Sequence, residues 1–243
     1  YEYIRESFGL YEGQGKTTLW YQEHMLEIAP SEGLVFNMDK INKYNVRDMR
    51  DKLGSLTYYI MCDLAISEKE YADYTSICVV GVEPQTGDWF IVDGEYGRWG
   101  VNDTVDKVFM AVKRYRPYAV VFENVAFQMA MGQILQNEMV RRGIFFNLEM
   151  VKRTSSMHKI SVIKALQPLV ELGKMWVPDD YAGEFVEELL HEMSMTTDEK
   201  VRARHDDIVD SLAMLTLIPI VAAQPVAESE LLEETAYVNP YLF

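Results

Sequence analysis

The order of apolar segments in this chain predicts an α/β fold: a mixed five-stranded sheet, three antiparallel strands followed by parallel ones, flanked by helices. Three observations carry that expectation. Three strand-like runs follow one another over short, turn-rich connections, so they should lie antiparallel. Two later apolar runs each follow a segment of helical periodicity, and strands reached through crossover helices run parallel. The 243 residues are 49% apolar and 25% charged, a balance that excludes a low-complexity or disordered chain and suits one large core.

Residues 1–57 lack sustained periodicity, carry mixed charge and hold turn signals at 13–15, Pro30 and Gly33, so they read as a lead-in. The folded domain is expected over 58–218. Its first strands are 58–65, 74–83 and 89–96, the last two joined by Pro84-Gln85-Thr86-Gly87-Asp88. Asn102 or Asp103 should cap a helix whose Val105, Val108, Phe109 and Val112 recur at helical spacing, and Pro117 should end it. Tyr118-Ala119-Val120-Val121-Phe122 is too brief for a helix and rich in β-branched and aromatic residues; it predicts a buried strand ending at Glu123. A helix over 126–142 closes at Gly143, a strand covers 145–150, and a helix over 160–172 closes at Gly173. Two more helices are expected over 182–193 and 206–217. The tail, 219–243, has Glu228, Glu230, Glu233 and Glu234, no Lys or Arg, and Pro225 and Pro240, the composition of a mobile acidic extension.

A formal net charge of −15 argues against a generally sticky DNA binder, whose affinity rests on clustered Lys and Arg releasing counterions. A local basic groove is still compatible with it. Between 141 and 174, seven basic residues face only Glu149 and Glu171, so Lys152, Arg153, Lys159 and Lys164 are the candidates for touching a polyanion. A solvated basic helix face is the plainer alternative. The apolar stretch 211–223 is too short to span a bilayer and contains Pro219. Cys62 and Cys78 have no CxxC partner and make no disulfide framework, which leaves them as small buried hydrophobes. The chain opens on Tyr1 without a basic-then-apolar leader and is expected to be cut from something longer.

The chemistry is carried by carboxylates. Asp63 closes the apolar run Tyr58-Tyr59-Ile60-Met61-Cys62, where an acid is costly unless paired, and Glu123 repeats the pattern on the later buried strand. A third acidic group, His205-Asp206-Asp207-Ile208-Val209-Asp210, opens the last helix, and Asp207 and Asp210 lie three apart on one side of its first turn. If the two strands are neighbours and the helix crosses them, these acids converge. Two such charges 4 Å apart repel by roughly 4 kcal/mol at an effective dielectric of 20, so the cluster needs cations. Hard oxygen donors without His or Cys at matching spacing select Mg²⁺ or Mn²⁺. Two such ions would clamp the attacking and leaving oxygens of a phosphodiester, which makes hydrolysis the implied reaction. Each acid also has a duller role: Asp206 as a helix N-cap, Asp210 as an exposed first-turn acid, Asp63 and Glu123 as partners of a buried cation.

Taken together, Met61-Cys62-Asp63-Leu64-Ala65 with Ala72-Asp73-Tyr74-Thr75, Val120-Val121-Phe122-Glu123-Asn124, and His205-Asp206-Asp207-Ile208-Val209-Asp210-Ser211-Leu212-Ala213 resemble a known family. It is the nuclease domain of the large terminase subunit of tailed bacteriophages, within the ribonuclease H-like superfamily. His158-Lys159-Ile160 and the segment 166–174 look like the family's basic helix and turn, and 20–23 and 32–36 resemble its lead-in, so the likeness covers roughly 20–219. It implies a ribonuclease H-like fold and a metal-dependent endonuclease that cuts concatemeric viral DNA around packaging into a procapsid. By that likeness Asp63, Glu123 and Asp207 ligate two Mg²⁺ or Mn²⁺ ions, with Asp210 or Asp206 next. Double-stranded DNA, the small terminase subunit and the portal protein would be partners, in the cytoplasm of an infected bacterial host.

The family's packaging ATPase lies upstream, and Gly13-Gln14-Gly15-Lys16-Thr17 invites comparison with its phosphate loop. A Walker A loop requires Gly where this chain has Leu10, and no apolar strand precedes it, so motor activity is not expected here. Among rivals, a proofreading-type exonuclease wants Asp-x-Glu where this chain has Asp63-Leu64-Ala65, and ribonuclease H places a Glu on a first helix that offers none over 105–112. A junction resolvase fits the acids. So does, from another class, a non-catalytic module docking DNA or a portal through the basic stretch.

Overall fold

Both faces of one sheet are buried, and that is why its strands read as continuous apolar runs rather than alternating ones. The computed structural model describes residues 33–64, 74–123, 126–152, 158–179 and 183–220. In chain order it places β1 (Asn42–Tyr44), α1 (Arg50–Gly54), β2 (Thr57–Asp63), β3 (Thr75–Val82), β4 (Trp89–Gly97), α2 (Val101–Tyr115), β5 (Ala119–Glu123), α3 (Ala126–Arg142), β6 (Leu148–Val151), α4 (Lys159–Lys164), α5 (Gln167–Glu171), β7 (Met175–Pro178), α6 (Glu184–Ser194) and α7 (Asp207–Ala213). The expected α/β fold holds, but the sheet has seven strands, in the order β1-β7-β4-β3-β2-β5-β6, and not five. The two extra strands have three and four residues, too few for a periodicity to register.

β3 is antiparallel to both β2 and β4, while β5 is parallel to β2, β6 to β5, β7 to β4 and β1 to β7. Six strands therefore point one way, and their carboxyl ends share a rim with the amino end of β3. Along β2, Tyr59 and Met61 join Cys78 and Val80 on one face, under Val162, Phe185, Leu189 and Leu212 from α4, α6 and α7. Ile60 and Cys62 join Ile77 and Val79 on the other, under Val105, Phe109, Leu135 and Met139 from α2 and α3. Each large apolar side chain fully buried this way contributes about 1.5–3 kcal/mol. Val35 and Phe36 belong to the first of these cores, so part of the expected lead-in packs on the sheet; residues 1–32 lie outside the described residues.

Local expectations shift where a single residue overrides the pattern. Gly100, extended at ψ 166°, is the N-cap of α2, so Asn102 and Asp103 lie inside the first turn, where Asp103 favours the helix dipole. The helix ends at Arg116, left-handed at φ 46°, because Pro117 disfavours helical backbone in the residue before it. The single helix expected over 160–172 is two, α4 and α5, with Pro168 in the first turn of α5, where its missing N–H is harmless. The last helix is α-helical only over Asp207–Ala213 and tightens into a 3₁₀ turn over Met214–Leu217. Cys62 and Cys78 are buried free thiols, both pushed up in pKa by that burial. Among the described residues no helix is long and apolar enough to cross a membrane. The acidic tail beyond 220 lies outside the described residues.

Candidate active site

The acids are brought to one rim by strand register. Cys62 pairs with Phe122 across the parallel β2/β5 ladder, so Asp63 and Glu123 each follow one residue later, at the carboxyl ends of adjacent strands. On the other side Asp63 is in register with Ser76 of β3. Ser76 carries the site to the last helix: its hydroxyl lies 2.9 Å from that of Ser211, both buried. Ser211 is one helical turn after Asp207 and next to Asp210, so this contact sets the acidic first turn of α7 over the ends of β2 and β3. A second tie fixes the same turn, for the backbone N–H of Tyr74 donates to Asp207 Oδ2 at 3.0 Å. His205 Nδ1 stands 3.8 Å from that oxygen.

The remaining two acids face a lysine. Lys159 Nζ, at the start of α4, lies 2.8 Å from Asp206 Oδ1 and 3.1 Å from Asp210 Oδ2. Burial alone would lower the pKa of its ammonium, but the charges of Asp210 and Asp206 outweigh that and hold it above its ordinary value. Asp206 sits at the cap position of α7 yet makes no side-chain cap bond, which corrects the N-cap alternative: its carboxylate is turned to Lys159 instead. Asp210 is only 3% exposed, so it is not a surface first-turn acid either. His158, Lys159, Ile163, Lys200 and Asp206 line a shallow cavity of about 240 Å³ beside this ion pair.

Of the other basic candidates, Lys152 is exposed one residue past β6, on the same rim. Lys164 sits at the far end of α4, paired with Asp198 at 2.5 Å. Arg153 lies outside the described residues.

Two residues were not singled out by the sequence. Glu192 of α6 is fully buried and accepts the N–H groups of Val209 at 2.7 Å and Ile208 at 3.4 Å, so a carboxylate from a neighbouring helix caps α7. Burial pushes its pKa up to about 8, with Glu188 and Asp207 adding to the rise and the two backbone bonds opposing it. Its signal was present, since Phe185, Leu189 and Glu192 share one apolar face of α6. Arg98, one residue past β4, lies over the Tyr74 ring at 4.1 Å, and the ring's other contacts include His205 at 4.5 Å and Tyr96 at 5.4 Å. Nothing periodic in the sequence announces that stack.

Asp63, Glu123 and Asp207 are hard oxygen donors delivered from three elements to one rim, a donor set that fits a divalent cation of the magnesium class. Among the described residues, however, no group of three or more His, Cys, Asp and Glu side chains is already gathered around a common point.

Residues 60–217 match the family described as the terminase RNaseH-like domain. Among solved structures the chain is similar to the large terminase nuclease domain of Thermus phage P74-26, at 25% identity over 74% of this chain and 93% of that one, TM-score 0.49. It is similar in fold to a variant nuclease domain of the large terminase subunit of bacterial virus Sf6 solved with manganese, at 12% identity over 76% and 100%, TM-score 0.53. The P22 large terminase nuclease domain is alike at 10% identity over 78% and 96%, TM-score 0.51. No curated protein sequence matches the chain.

Proposed function

The chain belongs to the terminase RNase H-like domain family, and from that premise we propose that it is a metal-dependent endonuclease hydrolysing phosphodiesters of double-stranded DNA during viral genome packaging. One observation supports this reading above the others: Asp63 and Glu123 end adjacent parallel strands, and the helix carrying Asp207 is tied across them by Ser76, Ser211 and Tyr74. The similar Sf6 domain was solved with manganese, which agrees with the oxygen-only donor set here.

In the proposed site Asp63, Glu123 and Asp207 hold two divalent ions, Mg²⁺ or Mn²⁺. When bound, such ions supply hydroxide at neutral pH and stabilise the charge that develops on the phosphodiester oxygens. The protein's own part is positioning. The Tyr74 N–H fixes Oδ2 of Asp207 at 3.0 Å. Glu192 fixes the axis of α7 through Val209 and Ile208. Lys159 offsets the charges of Asp206 and Asp210, whose carboxylate oxygens lie 2.8 and 3.1 Å from its ammonium. Lys152, Arg153 and Lys159 are proposed to meet the DNA backbone, and Lys164, tied to Asp198, to contribute less.

Supercoiled plasmid incubated with the protein and Mn²⁺ is expected to be nicked and linearised with little sequence preference. EDTA or Asp63→Asn should stop the reaction. Cutting that survives Asp63→Asn would remove this mechanism, and a wild-type protein that binds duplex without nicking it would favour the docking module.

A further inference from the structure

The chain that leads into the acidic turn is itself basic. Lys200, Arg202 and Arg204 precede Asp206 and Asp207, outside the basic stretch 141–174. All three are exposed, and among the described residues no ion pair or hydrogen bond engages their side chains. Lys159, by contrast, already engages Asp206 and Asp210 through its ammonium. Of the two acids that open the segment, Asp198 is held by Lys164, which leaves Glu199 against three cations.

The backbone beneath these cations is anchored. Thr196 bridges Val201, the Arg202 N–H donates to the Met195 carbonyl at 2.9 Å, and the Thr197 N–H donates to the Lys200 carbonyl at 2.9 Å. This turn is tied in its own right to residues 33–35, by the Val35 N–H to the Thr196 carbonyl at 3.0 Å and the Asp198 N–H to the Gly33 carbonyl at 3.1 Å. Val201 packs against the core under α4, α6 and α7, so its neighbours Lys200 and Arg202 are turned to solvent by the period of two of an extended chain. Arg204 follows in the bend before His205. Lys200 also lines the cavity shared by His158, Lys159 and Asp206. The three cations are thus presented on a fixed turn that runs directly into the helix carrying Asp207.

The ligand follows from what the segment has and what it lacks. Cations spaced along one stretch attract a polyanion, and residues 196–206 contain no Phe, Tyr or Trp on which an unpaired base could stack. That combination suits phosphates, contacted without regard to sequence. We propose that Lys200, Arg202 and Arg204 form a further phosphate-contacting element, which holds the DNA backbone on the α4 and α7 side of the acids. This rests on the endonuclease reading and names a surface through which its substrate is held.

The test compares the wild type, the double variants Arg202→Ala with Arg204→Ala and Arg202→Lys with Arg204→Lys, and Lys113→Ala. The last removes an exposed cation near the end of α2, at the opposite rim. Affinity for a duplex of about 20 base pairs is measured in Ca²⁺ across a salt series, beside nicking rates in Mn²⁺ and thermal melts. Each lost phosphate contact lowers the slope of log affinity against log salt by about 0.9, so the double alanine variant should lose about 1.8. The double lysine variant and Lys113→Ala should keep the wild-type slope. In nicking, the double alanine variant should raise KM several-fold with kcat within about twofold, the split expected of lost uniform binding. A wild-type slope in the double alanine variant would overturn the proposal and leave the patch to an acidic polypeptide. An equal fall in Lys113→Ala would overturn it too, because overall charge and not this turn would then set the slope. Should the double alanine variant melt early, Lys200→Ala decides instead: a slope lower by about 0.9 supports the assignment, and an unchanged one contradicts it. A slope that depends on Arg202 and Arg204, in a wild-type protein that never nicks, would support the phosphate contact and remove the nuclease reading.

Discussion

The two ends of the same strands are built on opposite plans. At the amino-terminal rim, polar groups are spent on the chain itself. The β3–β4 turn closes through Glu83 N–H to Asp88 and Gly87 N–H to Glu83, both at 2.8 Å, with Gly87 in the left-handed region that glycine tolerates. Lys174 donates its ammonium to the Thr86 carbonyl, and its own carbonyl accepts from Trp89. Lys52 pairs with Glu83 at 2.5 Å. At the other rim the strands stop on Asp63 and Glu123 instead of on turn residues, and the acids facing them come from a helix far along the chain. The apolar runs decide where strands lie; what terminates each run decides which end is structural and which is chemical.

That contrast is broken most directly by removing the acids. Asp63→Asn and Glu123→Gln are each expected to slow plasmid nicking on the order of 1000-fold, about 4 kcal/mol of transition-state stabilisation, while the melting temperature holds or rises as repulsion at the rim falls. A parallel fall in both quantities would make these acids structural.

Next in size is the ion pair on the same rim. Lys159→Ala leaves Asp206 and Asp210 facing each other, one of them 38% exposed and the other nearly buried, and should cost about 1–2 kcal/mol in urea unfolding, less than a fully buried pair because solvent screens one side. The same variant should bind duplex with a flatter salt dependence; an unchanged slope would place the groove elsewhere.

Glu192 sharpens the comparison through pH. Its folded pKa, pushed up to about 8, lies above the ordinary glutamate value, so the native state holds the proton more tightly than the unfolded chain. Its contribution to stability is complete below pH about 4.5 and is lost as pH rises to about 8. Melts in EDTA should show the wild type losing more stability between pH 5 and 8 than Glu192→Gln does. Parallel curves would mean the buried carboxyl does not titrate in that window.

The smallest effect belongs to the structural rim. Lys174→Ala removes an exposed ammonium from a carbonyl and should change unfolding by less than about 1 kcal/mol, with nicking untouched. A loss of nicking there would erase the distinction between the two ends.

Much of this was legible in the sequence because burial on both faces leaves an uninterrupted apolar run, and an acid at its end stands out. Asp63 and Glu123 were singled out that way, and Asp207 and Asp210 by their spacing of three on one side of a helical turn. β1 and β7 were not, since strands of three and four residues carry too little pattern, and β1 gains its place only by pairing with a strand more than a hundred residues later. Pro168 split a helix whose periodicity ran straight through it. The direction of Asp206 toward Lys159, the Ser76–Ser211 bridge and the Arg98–Tyr74 stack depend on contacts between distant segments, and single-chain periodicity holds no trace of them. Glu192 differs: an acid on an apolar helix face was visible and asked for a partner, which proved to be the backbone of α7.

Mn²⁺ titrated into the protein, followed by calorimetry and by anomalous diffraction from a soaked crystal, addresses the central claim most directly. The account predicts saturable binding, lost in Asp63→Asn, with manganese between the side chains of Asp63, Glu123 and Asp207. Manganese absent from that rim at saturation, or binding indifferent to Asp63→Asn, would contradict it.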